Sequence, residues 1–166
     1  MPHKDWSKFT HKMMIKADMG EVYDAWTTRN NLEGWFLRKA EFVRPNCTVR
    51  DNVSYIQQGD TYEWMWHGHS DDVAERGEVL EANGKDMLKF TFGKAGIVTV
   101  TMQQEGDVTV MQITQEDIPT DEDSKMNYYV ECSNGWTFYR ANLKSILEGG
   151  VDLRNKSMVL MGENTD

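Results

Sequence analysis

The chain has 166 residues, of which 39% are hydrophobic, and its 27 acidic residues against 18 basic ones give a formal net charge of -9. A length of this order suits a single domain. Because so acidic a surface repels phosphate groups, we expect neither nucleic acid nor an anionic membrane as a partner.

The N-terminal region and the cysteines bear on the expected location. The first twenty residues contain no apolar core of a signal peptide, and no run approaches the roughly 18 apolar residues that span a bilayer. Cys47 and Cys132 fit neither a metal motif nor a disulfide framework. Unpaired cysteines are typical of a reducing compartment, so a cytoplasmic location is expected.

A strand and two short helices are predicted first. Alternating apolar residues over 8–16 predict the strand, with Phe9, Met13 and Ile15 on one face. Asp18 followed three residues later by Glu21 is typical of a helix start with a capping box. Apolar residues at helical spacing then predict a short amphipathic helix, with another helical turn near 31–35. They are Met19, Val22, Tyr23 and Trp26.

Residues from about 37 to 116 have the pattern of an antiparallel sheet. Turn signals separate seven short runs, at 37–43, 52–58, 61–68, 75–82, 87–93, 96–104 and 108–115. The Glu105-Gly106-Asp107 turn between the last two predicts a hairpin. Large side chains share one face within several runs, which predicts a sheet with one buried face. These are Trp64 and Trp66; Leu88, Phe90 and Phe92; and Val98, Val100 and Met102.

A long helix is predicted near the C-terminus. Thr120 can cap it, the acids at 121–123 favour a helix N-terminus, and Gly149-Gly150 supplies a stop. At 1.5 Å per residue, about 28 residues give a helix of roughly 40 Å, long enough to cross a sheet. Its apolar stripe consists of Tyr129, Cys132, Trp136, Leu143 and Leu147. These elements predict one α+β domain over 1–154 and a tail over 155–166, in which residues 158–161 could pack.

Two sets of motifs resemble a known family. Residues 22–28 (VYDAWTT) with 32–36 (LEGWF) resemble the opening of the heat-shock protein 90 ATPase activator-like family. Gly135-Trp136 followed by 141–150 (ANLKSILEGG) resembles its ending, and 77–80 and 96–101 fall where it has strands. The element order is similar to that of the START-like, birch-pollen-allergen-type superfamily. The resemblance spans roughly residues 8–154, a size normal for one domain.

This resemblance implies a helix-grip fold, in which a curved antiparallel sheet wraps around the long C-terminal helix. It also implies membership of a ligand-binding superfamily. The family name comes from a eukaryotic co-chaperone domain, and a shared fold does not transfer that activity. Arg140 departs from the family pattern, since relatives usually carry an apolar residue at this helix position.

A cavity between sheet and helix is the predicted binding site for a small hydrophobic ligand. Its candidate residues are mostly aromatic, and aromatic rings can stack on a flat apolar ligand. Packing in an ordinary core is the alternative for each of them. The candidates are Trp26, Trp35, Phe36, Trp64, Trp66, Phe90, Phe92, Met102, Trp136, Tyr139, Arg140 and Leu143.

Arg140 and Tyr139 are the candidate polar anchors for such a ligand. If Arg140 points inward, its guanidinium requires a partner such as a ligand carboxylate. Alternatively, it lies at the edge of the helix face and extends to solvent.

No metal or cofactor site is predicted. His67 and His69 would share one face of a strand, with Asp71 and Asp72 nearby. However, Trp64 and Trp66 point to the other, interior face, and no third well-spaced ligand is present. No nucleophile elbow or phosphate-binding loop occurs either, so no catalytic residue is assigned.

Three functions remain open from the sequence. Binding of a small hydrophobic or amphipathic molecule, without catalysis, is the leading hypothesis. A protein-interaction role is the first alternative, as a co-chaperone-like ATPase activator or through a homodimer. A cyclase or hydrolase using the same cavity is the second, with only Tyr55, Tyr129, Tyr139 and Arg140 as polar groups near the inner faces.

Overall fold

A computed structural model describes residues 3–157 of the chain. The elements run in the order β1 (Phe9–Ile15), α1 (Met19–Thr27), α2 (Arg29–Trp35), β2 (Lys39–Val43), β3 (Thr61–Met65), β4 (Ala74–Ala82), β5 (Met87–Thr91), β6 (Ile97–Glu105) and β7 (Val108–Glu116). A 3-10 turn, Gly93–Ala95, connects β5 to β6. The C-terminal helical stretch comprises α3 (Glu122–Ser124), a π-helical segment (Lys125–Val130) and α4 (Glu131–Leu147).

The seven strands form one antiparallel sheet in the order β1-β7-β6-β5-β4-β3-β2. The hairpin between β6 and β7 is confirmed, since Glu105 pairs with Val108 across a two-residue loop. Gly106 takes a positive φ of 64° there, which glycine adopts without steric cost. The inward face is apolar as the alternation predicts, with Trp64, Phe90 and Val100 nearly inaccessible to solvent.

The C-terminal helical stretch lies against the inner face of the curved sheet, and α4 contacts both β1 and α2. This arrangement is the α+β helix-grip fold that the sequence predicts. No helix within residues 3–157 is both long enough and apolar enough to cross a membrane.

The helix starts differ in detail from the predictions. Asp121, and not Thr120, caps α3, because its side chain accepts hydrogen bonds from the backbone N–H and the hydroxyl of Ser124. Asp18 does precede α1, but its side chain makes no capping hydrogen bond. The N–H of Met19 is instead bound by Oε1 of Gln104, at 2.8 Å.

Two segments predicted as strands are irregular. Residues 52–58 form turns and irregular loop. The Asp51 carboxylate accepts from the N–H groups of Val53 and Ser54, and the N–H of Ile56 donates to the carbonyl of Thr27. The strand predicted over 61–68 ends at Met65. The residues that follow it form a loop held by the side chain of Arg38, which donates to backbone carbonyls of this loop.

Residues 150–157 pack back onto α2 and α4. The side chain of Arg154 is only 3% exposed and donates to the carbonyls of Leu37 and Glu33 as well as to Asp152. Asn142 on α4 donates to Asp152 and accepts from the N–H of Leu153. The predicted packing of residues 158–161 lies outside the described residues.

Candidate ligand-binding site

Aromatic rings fill most of the space between the sheet and the C-terminal helix. Trp26 packs edge-on to Trp35 with ring centroids 4.8 Å apart and lies 5.7 Å from the ring of Trp136. Six of the predicted site residues are buried in this core, away from the pocket described next; they are Trp26, Trp35, Trp64, Phe90, Met102 and Leu143. Trp35 and Leu143 also border a separate groove between α2 and α4.

A pocket of about 190 Å³ remains at the end of the sheet where β3 and β5 finish. We call it the aromatic pocket. Five of the predicted site residues line it, namely Phe36, Trp66, Phe92, Trp136 and Tyr139, together with Glu131, Cys132 and Gly135. The ring of Phe36, which follows α2, lies 5.3 Å from the ring of Trp136 on α4. The ring of Phe92, which follows β5, lies 5.8 Å from it, so flat apolar surfaces from separate elements face the pocket.

A buried glutamine fixes the orientation of Trp136. The indole Nε1–H of Trp136 donates to Oε1 of Gln115 at 2.8 Å, and Nε2 of Gln115 donates to the Ala95 carbonyl at 2.9 Å. Gln115 is fully buried on β7. Sequence reasoning missed this residue, although its place on the inward face of an alternating strand was a readable signal.

A second hollow, of about 470 Å³, adjoins the aromatic pocket. We call it the carboxylate groove. It shares Phe92 and Cys132 with the aromatic pocket, and the other lining residues are Glu75, Gly93, Lys94, Ala95, Asn127 and Tyr128. Asn127 and Tyr128 come from the π-helical segment, in which the N–H of Glu131 reaches the carbonyl of Met126. Such π-helical irregularities occur often at functional sites.

Glu75 places a carboxylate in this groove. It is half-buried near the start of β4 and packs so closely on Gly93 that a Cβ there would collide with it. Burial raises the pKa of Glu75 above its ordinary value. Burial also raises the pKa of the Cys132 thiol and of Tyr62, and the charge of Glu75 adds to both shifts. Glu75 was not among the predicted site residues.

Arg140 lies at the edge of the sheet, away from the aromatic pocket. Its Nε–H donates to Nδ1 of His11 on β1 at 3.0 Å, and Nη1 lies 3.5 Å from the Lys12 carbonyl. Because Nδ1 of His11 accepts, the ring proton lies on Nε2, which donates to Oγ of Ser133 at 3.0 Å. Burial and the neighbouring Arg140 charge lower the pKa of His11.

The histidine pair that the sequence analysis considered as metal ligands lies on the loop between β3 and β4. His67 and His69 follow the end of β3, and Asp71 pairs with Nη2 of Arg38 at 2.7 Å. Burial, Arg154 and other nearby cations lower the pKa of His67. Within residues 3–157, no cluster of three histidine, cysteine or acidic side chains could hold a metal ion.

A curved antiparallel sheet closed by a C-terminal helix, with an aromatic pocket at one end, defines a helix-grip domain. The family described as activator of Hsp90 ATPase homolog 1-like protein matches residues 16–148. The chain therefore belongs to this family, which confirms the resemblance drawn from its sequence motifs. A comparison with curated proteins finds no match.

Solved structures from several organisms share this fold. A Staphylococcus saprophyticus protein is 20% identical, with a TM-score of 0.69 over 89% of this chain and 96% of that one. The Aha1 dimer from Colwellia psychrerythraea is 15% identical, with a TM-score of 0.65 over 86% and 97%. An Hsp90 activator from Plasmodium falciparum is 17% identical, with a TM-score of 0.61 over 86% and 96%.

Proposed function

We propose that this protein binds a small amphipathic molecule whose flat apolar part occupies the aromatic pocket. The observation that carries the proposal is the wall of that pocket, where Phe36 at the end of α2, Phe92 after β5 and Trp136 on α4 contribute their rings. Rings contribute large apolar contact area at a low cost in conformational entropy.

The volume of the aromatic pocket favours a small ligand. The aromatic pocket, at about 190 Å³, is smaller than the roughly 300–1,000 Å³ of sites for drug-sized molecules. It suits a ring system, and the adjoining carboxylate groove supplies room for a polar extension. This division between an apolar pocket and a polar groove favours an amphipathic ligand over a purely hydrophobic one.

Gly135 offers a way to close the pocket without disturbing the fold. It lines the pocket from α4, and a Cβ at this position would meet no other atom within 4 Å. Leucine is also a better helix former than glycine, by somewhat under 1 kcal/mol. We therefore expect Gly135→Leu to fold normally while filling the space that a ligand would occupy.

Gly20 provides the matched control. It lies in α1 and lines neither the aromatic pocket nor the carboxylate groove, and a Cβ there also meets no atom within 4 Å. Isothermal titration calorimetry with 1-naphthylmethanol would compare the unaltered protein, Gly135→Leu and Gly20→Leu. Circular dichroism of each variant would establish that it is folded.

The proposal predicts saturable binding to the unaltered protein and to Gly20→Leu, and at least a tenfold loss in Gly135→Leu, about 1.4 kcal/mol in free energy. Absence of binding to the unaltered protein would contradict it. Equal affinity in Gly135→Leu would place the binding site elsewhere.

A protein-partner role is the second candidate, favoured by the family membership and by two structural neighbours described as an Aha1 dimer and an Hsp90 activator. An acidic chain with a net charge of -9 could attract a basic partner surface by electrostatic steering. Adding the purified protein to Hsp90 and measuring ATP hydrolysis tests this role. A rate that does not change with added protein would count against it.

A further inference from the structure

We propose that the ligand is a cationic amphiphile, with its flat apolar part in the aromatic pocket and an ammonium group against Glu75 in the carboxylate groove. This inference rests on the proposed function, since it names the chemical class of the molecule that the same site would take. Its basis is the position of Glu75 relative to the aromatic walls and to the other charged groups of the chain.

Glu75 carries a partly buried negative charge that has no ion-pair partner in the part of the chain that the structure describes. Its carboxylate accepts a hydrogen bond from the neighbouring backbone N–H of Arg76, at 3.2 Å. None of the ion pairs within residues 3–157 includes Glu75, whereas Glu63 on the adjacent strand contacts both Lys39 and Arg76. A carboxylate removed from water without a counter-ion is unfavourable, so an incoming cation would be stabilised at this position.

The two hollows are close enough to hold one molecule. Phe92 and Cys132 line both hollows, so the aromatic pocket and the carboxylate groove are adjacent and share a wall. A cation beside Phe92 would also lie near the Phe92 and Trp136 rings, whose centroids are 5.8 Å apart. Aromatic faces attract ammonium groups, most strongly where water is excluded.

The other acidic groups around the site also favour a positively charged ligand. Glu131 lines the aromatic pocket and adds a second carboxylate. Lys94 also lines the groove, but it is exposed and forms no ion pair with Glu75. With a net charge of -9, the chain as a whole attracts cations and repels carboxylate ligands.

A neutral ligand with a hydroxyl group could also donate to Glu75, but an ammonium does so with a charge-assisted hydrogen bond. Such bonds contribute roughly 1.5–3 kcal/mol, against 0.5–1.5 for neutral ones. A preference of about tenfold for the amine over the matched alcohol therefore follows.

Three probes with the same ring system and different charge test the inference. They are 1-naphthylmethylamine, which is an ammonium ion near neutral pH, neutral 1-naphthylmethanol and anionic 1-naphthylacetate. Calorimetric titration would compare the unaltered protein with Glu75→Gln. Glu78→Gln is the matched control, because Glu78 lies on the same strand but is exposed and, within residues 3–157, takes part in no ion pair.

We expect the amine to bind about tenfold more tightly than the alcohol and the acetate to bind most weakly. Glu75→Gln should remove the preference for the amine and leave the affinity for the alcohol within a factor of about two, while Glu78→Gln retains the preference. Alcohol binding that is as tight as amine binding, or an amine preference that survives in Glu75→Gln, would overturn this inference but leave the proposed function standing. Binding of none of the three probes would overturn both.

Discussion

The Nε–H of Arg140 on α4 donates to Nδ1 of His11 on β1, at 3.0 Å. This contact joins the C-terminal helix to the edge strand of the sheet. It accounts for an arginine at a helix position where an apolar residue is expected, since the guanidinium binds a neutral imidazole and reaches a backbone carbonyl. Arg140 therefore contributes to closing the sheet over the helix, whereas Glu75 lines the carboxylate groove that adjoins the aromatic pocket.

The His11 contact predicts a stability that depends on pH. Because the pKa of His11 is lowered in the folded protein, the unfolded chain binds more protons between that value and the ordinary value near 6.5. The contribution of His11 is complete above about pH 6.5 and is lost as pH falls below it. We expect the fall in Tm between about pH 7.5 and pH 5.5 to be smaller in His11→Gln, which keeps an acceptor and a donor but does not titrate. Equal falls in both proteins would contradict this role.

Arg154 should anchor the C-terminal segment onto α2. Its nearly buried guanidinium binds the carbonyls of Leu37 and Glu33 and the Asp152 carboxylate. Arg154→Met removes the side chain that donates to both carbonyls, while Asp152 keeps Asn142 and Lys156 as partners. We expect a loss of about 2–3 kcal/mol in the free energy of unfolding by urea. Lys156→Met is the control, since Lys156 also pairs with Asp152 but is 53% exposed. Its effect should stay within about 0.5 kcal/mol, and similar losses for both variants would contradict the anchoring role.

Two tryptophans of the core should respond differently to replacement by phenylalanine. Trp136→Phe removes a hydrogen bond and leaves Oε1 of the buried Gln115 without its donor. Nε1 of Trp64 is buried and has no hydrogen-bond partner within residues 3–157, so Trp64→Phe removes an unpaired polar group. We expect Trp136→Phe to cost about 1–2 kcal/mol more in chemical denaturation than Trp64→Phe. The reverse order would contradict the role assigned to Gln115.

Glu75 should lower the stability of the ligand-free protein at neutral pH. Because its pKa is raised in the folded state, the stability it contributes is present below the ordinary value near 4.5 and is lost as pH rises through the raised value. Glu75→Gln should therefore raise Tm by about 1–3 °C near pH 7.5, and the difference should vanish near pH 4. Differential scanning calorimetry measures the Tm of each protein at both pH values. A Glu75→Gln protein that is less stable at neutral pH would show that the carboxylate is stabilised within the chain.

The sequence predicts the fold closely because its signals are local. Alternation over 108–115 and the Gly106 turn are sufficient to define the β6–β7 hairpin, and the apolar stripe of α4 identifies its buried face. The cap position is wrong by one residue because Thr120 and Asp121 are both good caps, and only the backbone geometry distinguishes them. Residues 52–58 have strand-like composition, but their hydrogen-bond partners lie in α1 and nearby turns.

The site is harder to predict than the fold because a pocket forms where side chains fail to fill the space between the sheet and the helices. Eleven of the twelve candidate residues, all except Arg140, are apolar or aromatic for the same local reason, yet only five of the twelve border the aromatic pocket. Two features determine which rings border an unfilled space. They are the register of β5 against β4 and the orientation that Gln115 imposes on Trp136. Glu75 could have been identified from its inward position two residues before Gly77 and four before the buried Val79.

Nuclear magnetic resonance of the tryptophan indoles is the most direct test of binding in the aromatic pocket. The six indole N–H signals can be assigned by single Trp→Phe replacements and followed during titration with 1-naphthylmethylamine. Trp66 and Trp136 line the pocket, whereas Trp6 packs against Tyr129 near the N-terminus. The account predicts saturable shifts of the Trp66 and Trp136 signals, little change at Trp6, and loss of the shifts in Gly135→Leu. Unchanged Trp66 and Trp136 signals, or larger shifts at Trp6, would contradict it.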